Sequence, residues 1–271
     1  MVCMAIFLCA AVAFADPVDE GLPETATQQV KNSTQQMINQ GFNAEDAINM
    51  TRQMLENNFS QQNILEAHAV LMNARQQGLQ TEPIMNKAHE GLAKQVQAGA
   101  VVQAMERVQS RYEFASQQAK AITNDEAKKN QIAAIMAGSM AAGINREDAE
   151  RIMLVLQERT RNMARSHAED LALQTLMTTR TMARLGTRSQ AVGDSVCEAL
   201  QQGYNAQEMH KMRNTAMANV RNHRSNAGQY GGQKSMGGHD GGSGGGMGGH
   251  GGDSGGGHGG DSGGGMGGGH K

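Results

Sequence analysis

Apolar and polar positions along this chain are punctuated by one recurring four-residue string. It reads Gln40-Gly41-Phe42-Asn43, Gln77-Gly78-Leu79-Gln80, Ala142-Gly143-Ile144-Asn145 and Gln202-Gly203-Tyr204-Asn205, with a degenerate copy at Asn57-Asn58-Phe59-Ser60. The physics of helix ends explains each position. Gly or Asn tolerates the left-handed backbone that stops a helix, and the apolar residue after it folds back onto the last turn. Asn43, Ser60, Asn145 and Asn205 then stand as N-caps of the next helix. Asp46, Asp148 and Glu208 fall at its third position, where a carboxylate closes a capping box or complements the dipole. In the Gly78 copy Thr81 is the expected cap, with Glu82 and Pro83 in the first turn. Joints at 41, 58 and 78, and a further one expected at Gly99, lie about 17 to 21 residues apart, room for helices of roughly four turns.

Past Gly143 the pattern predicts one longer helix from Glu147 to about Arg184, then a break from Gly186 to Gly193. In the middle of the chain, Val101, Met105, Val108, Tyr112, Ala115, Ala119 and Ile122 alternate steps of four and three. Heptad spacing of this kind reads either as one face packed within its own domain or as a coiled coil joining two copies through Val101 to Ile122. The expected fold class is all-α: an antiparallel array of helical hairpins over residues 27–226, with a sub-boundary near 123–143.

Composition divides the chain again. Of 35 Gly, 25 lie in residues 228 to 271. That stretch contains two identical octads, H-G-G-D-S-G-G-G, beginning at His250 and His258, with related units at His239 and His270. A chain of this composition buries too little apolar surface to offset its ordering entropy, so residues 227–271 are expected to be a disordered tail. Its dispersed imidazoles, with nearby carboxylates and backbone amides, form a ligand set for Cu(II), Ni(II) or Zn(II) at His239, His250, His258 and His270; the plainer reading is a flexible spacer. The two Gly-Asp-Ser-Gly-Gly strings at 252–256 and 260–264 resemble the nucleophile motif of trypsin-like serine proteases. That chemistry requires a serine held rigidly beside a histidine and an oxyanion hole, which a glycine tail does not supply.

At the other end, residues Met4 to Phe14 form a short apolar run closed by Ala13-Phe14-Ala15 and followed by Asp16-Pro17. Signal peptidase reads this small-x-small pattern, so residues 1–15 are expected to be a signal peptide and 16–26 an extended N-terminal segment. The run is shorter than the roughly 20 residues a membrane span needs. No Lys or Arg precedes it, which suggests a start some codons upstream. Cleavage would remove Cys3 and Cys9 and leave Cys197 as the one cysteine, without an intramolecular disulfide.

Formal charge is near neutral, 24 Lys+Arg against 26 Asp+Glu, which argues against a nucleic-acid partner. Methionine, at 20 residues, outnumbers leucine. Thioether pairs one turn apart occur at Met50/Met54, Met136/Met140 and Met209/Met212, the last flanking His210. These are soft-metal ligands or, more simply, adaptable core filling between Ala-rich helices. His167 with Asp170 and Met163 could share another helix face. No H-E-x-x-H and no C-x-x-C occurs.

Gly78-Leu79-Gln80-Thr81-Glu82-Pro83-Ile84-Met85-Asn86-Lys87-Ala88-His89-Glu90-Gly91-Leu92-Ala93-Lys94, with Val101-Val102 and Met105-Glu106-Arg107-Val108 beyond it, resembles a helical segment of exported bacterial proteins of unassigned function. The resemblance covers about 30 residues and implies a helical hairpin in the bacterial envelope. It carries over no catalytic residue, and His89 stands where that pattern has an aliphatic side chain. The expected function is an exported, periplasmic or secreted, non-enzymatic scaffold that binds a protein partner of the envelope, with no required cofactor and no membrane span once the leader is removed. The alternative is a periplasmic metal-binding or metal-stress chaperone. The Leu-Thr-x-x-Gln motif of such chaperones is absent.

Overall fold

A computed structural model describes the backbone of residues 17–231 and the side chains of residues 17–221. The leader, the tail histidines and the Gly-Asp-Ser strings lie outside the described residues. The chain divides between Asn226 and Ala227. Among the described residues all regular structure is helical: α1 (Pro17–Gly21), α2 (Gln28–Asn39), α3 (Ala44–Glu56), α4 (Gln61–Gln76), α5 (Glu82–Ala93), α6 (Ala98–Ala119), α7 (Glu126–Ala141), α8 (Arg146–Thr160), α9 (Arg165–Arg184), α10 (Ser189–Gln201) and α11 (Ala206–Gly231). No described helix is long and apolar enough to cross a membrane.

Among the described residues the joint is one device used seven times. Gly41, Gly78, Gly143, Gly186 and Gly203 have positive φ, as do Asn58 and Gln95. At each, the amide of the next residue donates to the carbonyl five back: Phe42 to Met37, Phe59 to Met54, Leu79 to Ala74, Val96 to Gly91, Ile144 to Ser139, Thr187 to Met182 and Tyr204 to Ala199, at 2.9 to 3.2 Å. This bond satisfies carbonyls that a helix end would leave open. The caps follow. Asn43, Ser60 and Asn145 accept from the amides of Asp46, Asn63 and Asp148. At Asn205 the box closes fully: its side chain accepts from the Glu208 amide, and the Glu208 carboxylate accepts from the Asn205 amide at 2.7 Å.

Several expectations are corrected. Residues 16–26 are not simply extended, because α1 forms there and Val18, Leu22 and Ala26 bury themselves beside Ile48. Gly99 lies inside α6; the joint is at Gln95, which takes φ 53 without being glycine. Thr81 makes no side-chain capping bond. The long helix from Glu147 to Arg184 is two helices, broken after Thr160, where the Arg161 and Met163 amides bond three residues back and Ala164 turns extended at ψ 140 before α9. Gly193 is no break: it sits within α10, where a Cβ would stand 2.5 Å from Arg151 Nη2 and 3.0 Å from Asp148 Oδ1. Here glycine permits close approach of α10 to α8.

Two large cores occupy the first unit beside the small Val18–Ile48 cluster. One runs from Val30 to Val108, the other from Phe114 to Met209. Their seam lies within α6 rather than at 123–143: Val101, Val102, Met105 and Val108 join the first core, Phe114, Ala115 and Ala119 the second, and Tyr112 packs against both. The heptad stripe is thereby consumed inside the chain, which removes it as a face for joining two copies. Methionine fills the centre, with Met37, Met50, Met54, Met105, Met136 and Met153 among the largest fully buried side chains.

Alternate helices keep a register. Gln61 meets Gln29, His68 meets Ser33 and Arg75 meets Gln40, so α4 runs in the same direction as α2. Ser189 meets Asn145, Asp194 meets Arg151 and Gly203 meets Arg159, so α10 runs with α8. α3 and α9, the single helices between the members of each pair, carry the chain back.

Candidate functional site

The folded residues that sequence singled out do not converge on a metal. Met209 is fully buried, His210 points to solvent and Met212 is half-buried. Met50 and Met54 lie in the first core, and Met136 in the second. Met163, His167 and Asp170 do line one cleft of about 390 Å³, together with Asn205 to Gln207 at the start of α11. Among the described residues, no three His, Cys, Asp or Glu side chains are grouped to hold an ion. His89 is half-buried and bonds Gln53 on α3 at 3.1 Å. Cys197 is buried and free, and burial pushes its thiol up, which suppresses thiolate chemistry.

His68 is the histidine that sequence reasoning missed. Its ring lies fully buried where α4 meets α2 and α3, with Nδ1 2.9 Å from Ser33 Oγ and Nε2 3.0 Å from Thr51 Oγ1. Proton counting fixes its state. Thr51 donates its one hydroxyl proton to the Ala47 carbonyl, and Thr34 donates its own to Val30. Thr51 Oγ1 therefore accepts from His68 Nε2–H, leaving Nδ1 to accept from Ser33. Burial pulls this imidazole from 6.5 down to about 4, in keeping with a neutral ring. The pair has the atoms of a serine–histidine dyad but no opening through which a substrate could arrive. What it does is pin three helices with every polar atom satisfied.

A second polar cluster sits on the other core. Arg151 bridges Asp148 (2.7 Å) and Asp194 (2.5 Å) over Gly193, and Ser189 Oγ donates to Asp148 Oδ2 at 2.6 Å. Burial pushes the Asp148 carboxyl up, but Ser189, Arg151 and Asn145 outweigh it and hold it below the usual carboxylate range. This clasp ties α8 to α10.

Two further clefts are wider than the one at His167. The larger, about 730 Å³, lies between α10 and α11. Its apolar floor is Met182, Ala199, Met212 and Ala216; Glu198, Gln202, Glu208, Lys211, Thr215 and Asn219 form its rims. α11 is anchored at its start, where Thr178 donates to the Met209 carbonyl and Arg213 donates to Gln174. Beyond Arg213 its Ala216, Met217 and Val220 are half-buried, one stripe of a helix with nothing laid across it among the described residues. The second cleft, about 580 Å³, runs between α2 and α4 and is lined by amides. Comparison of the chain with protein-family models, with curated proteins and with solved structures gives no match in any of the three.

Proposed function

We propose that this protein is an exported, non-enzymatic helical scaffold of the bacterial envelope, and that it engages a protein partner through the cleft between α10 and α11. One observation carries the reading: α11 leaves its anchor at Arg213 with an apolar stripe beside an apolar floor. A groove between two helices, apolar below and polar at both rims, suits the amphipathic helix of a partner. Stacked helices supported by repeated joints are a common frame for such surfaces. The chemistry favours binding over catalysis, because among the described residues the histidine held beside a serine, His68, is sealed from solvent.

The test compares capture from an envelope extract by the full chain and by its Ala216→Asp variant, with cross-links mapped on both. Ala216 is half-buried at the cleft, so the exchange leaves both cores intact. The expected result is a reproducible partner, cross-linked to α10 or α11, that the variant loses by tenfold or more. A partner held equally by both chains would displace the site, and catalytic turnover by the purified protein would overturn the scaffold reading.

A further inference from the structure

The α10–α11 hairpin repeats the α2–α3 hairpin. Val30, Ser33, Gln40, Gly41, Asn43 and Met50 recur in step as Val192, Ser195, Gln202, Gly203, Asn205 and Met212, on helices that stop and restart at the same distances from the joint glycine. Gly41 and Gly203 both take φ 89, and Asn43 and Asn205 cap alike. What differs is the cover. Over α2–α3, α4 runs in the direction of α2 and reaches both helices through His68 on Ser33 and Thr51, while α5 bonds α3 at Gln53. Met50 and Met54 of that hairpin are fully buried. In the last hairpin the matching positions of Ser33, Met50, Gln53 and Met54, which are Ser195, Met212, Thr215 and Ala216, line the open cleft. The end of α4 adds a detail. Its last-turn Arg75 donates from Nε to the Gln40 carbonyl at 2.6 Å and lies 5.2 Å from the centre of the Phe42 ring. The corresponding Gln202 carbonyl has no donor among the described residues, and Tyr204 stands in the place of Phe42 on the cleft wall.

We propose that the partner helix in the α10–α11 cleft runs in the direction of α10, in the place that α4 holds over α2–α3, and carries in its last turn an arginine that seats on the Gln202 carbonyl and the Tyr204 ring. This rests on the α10–α11 cleft being the binding surface, and adds to it a direction and an anchor. Charge points the same way without recourse to the repeat. Glu198, which accepts from Gln202 Nε2 at 2.9 Å, and Glu208, which closes the cap at Asn205, both stand at the joint end of the cleft, whose rims carry one base, Lys211. A helix lying with α10 brings its C-terminus to that end, where its own open carbonyls already favour Lys or Arg. A helix lying the other way would bring its first turn there, and the Asp and Glu preferred in a first turn would meet two carboxylates. A guanidinium on a carbonyl and over a tyrosine face makes both a charge-assisted hydrogen bond and a cation–π contact. The floor of Met182, Ala199, Met212 and Ala216 takes the apolar stripe of the same helix.

The probe is a displayed library of helical peptides built on α4, Gln61–Gln76, stapled on the outward face, with Ile64, Ala67, His68 and Leu71 randomised and Arg75 kept. Selection is on the full chain. The best peptides are then measured in solution against the unaltered protein, Ala216→Asp, Glu198→Lys and, as an exposed charge exchange elsewhere, Glu106→Lys. Affinity is expected to fall by about tenfold or more in Ala216→Asp and when the peptide carries Arg75→Ala, to fall less in Glu198→Lys, and to stay unchanged in Glu106→Lys. A photoreactive group at the peptide C-terminus should cross-link to residues 202–208, and one at its N-terminus to residues 189–195 or 215–219. Loss in Ala216→Asp with the two cross-links reversed, or with no dependence on the peptide arginine, would overturn the proposed helix and leave the cleft as a binding surface. Recovery of no peptide, or binding indifferent to Ala216→Asp, would overturn both. Cross-links to α2 and α3, from a peptide that has replaced the chain's own α4, would count against the proposal. So would a cleft held by a second copy, seen as a dimer that the peptide dissociates, or by residues 227–271, seen as their cross-links to α10. Thermal unfolding of the variants separates lost binding from lost fold.

Discussion

Between α2 and α4 the register is set by Gln61 on Gln29, His68 on Ser33 and Arg75 on the Gln40 carbonyl; between α8 and α10 it is set by Ser189 on the Asn145 amide, Arg151 on Asp194 and Arg159 on the Gly203 carbonyl. The first core thus places a neutral imidazole–hydroxyl cluster at its centre and keeps charge at its edge. The second puts an arginine between two carboxylates at the rim, and its buried hydroxyls act singly among Ala, Leu, Ile and Met: Ser139 and Thr179 on carbonyls of their own helices, Thr178 on the Met209 carbonyl and Thr123 on the Glu169 carboxylate. Neutral buried bonds depend on geometry and on the ring staying uncharged, whereas rim charges depend on ionic strength. Two halves with similar helices are therefore expected to respond to different conditions.

The sharpest way to break the comparison is to cut α6, the helix that both cores share. Arg111→Pro removes a helical hydrogen bond beside Tyr112 at the seam, and an interior proline costs about 3 kcal/mol or more. The expected outcome is unfolding in two steps, with amides of α2 to α5 exchanging separately from those of α7 to α10 in hydrogen-exchange mass spectrometry. A single cooperative step in the variant would show that the cores are one.

Acid should act on the first core alone through His68. In the folded chain this ring has a pKa of about 4 against 6.5 when unfolded, so the unfolded chain binds the proton more readily. The stability it contributes is present above 6.5 and is lost as pH falls towards 4, a change of about 3 kcal/mol at full extent. Urea unfolding from pH 7.5 to 4, compared with His68→Leu, isolates this share from the carboxylates. The advantage of the unaltered chain over His68→Leu should shrink by that amount as the pH falls from 7.5 to 4. Parallel pH profiles would show that the ring does not titrate in this way.

The joints were legible because their chemistry is local. Gly, the apolar residue after it and the cap that follows are contiguous, and five of the seven left-handed positions carried that string. Gln95 gave no such signal, and neither did the break after Thr160, where no glycine stands. The candidate site was less legible. His68 lies amid an apolar helical pattern, and its partners are 17 and 35 residues away on two other helices, a conjunction no local spacing encodes. The heptad stripe was read correctly as apolar, but only packing could decide between an internal and an external partner.

The second core should show its own weakness in salt. Asp148→Ala removes the acceptor for Ser189 and Arg151 and is expected to cost about 1 to 2 kcal/mol at low ionic strength. Since Arg151 is partly exposed, the ion-pair share of that loss should shrink near 1 M NaCl, where screening acts within about 3 Å. The pH profile attributed to His68 should hold its shape in the same salt. Chemical unfolding of both variants at low and high salt makes the measurement, and an Asp148→Ala deficit that grows with salt would refute the account of the clasp.

The smallest effect belongs to the joints themselves. Gln95 holds φ 53 and Asn58 φ 58, both in the left-handed region, where glycine is unstrained, asparagine is tolerated through its short polar side chain and glutamine has no such relief. Gln95→Gly removes that strain but adds freedom to the unfolded chain, so the two terms oppose each other. Release of a left-handed strain of about 1 kcal/mol or more leaves a net gain of about 0.5 kcal/mol, while Asn58→Gly should be near zero. Both positions are exposed, at joints between helices that build the first core, so the Gln95→Gly gain should appear in the step that includes α5 and, in the Arg111→Pro background, leave the second step unmoved. Equal gains from both substitutions would mean that asparagine and glutamine are strained alike at these joints, and that side-chain chemistry does not distinguish them there.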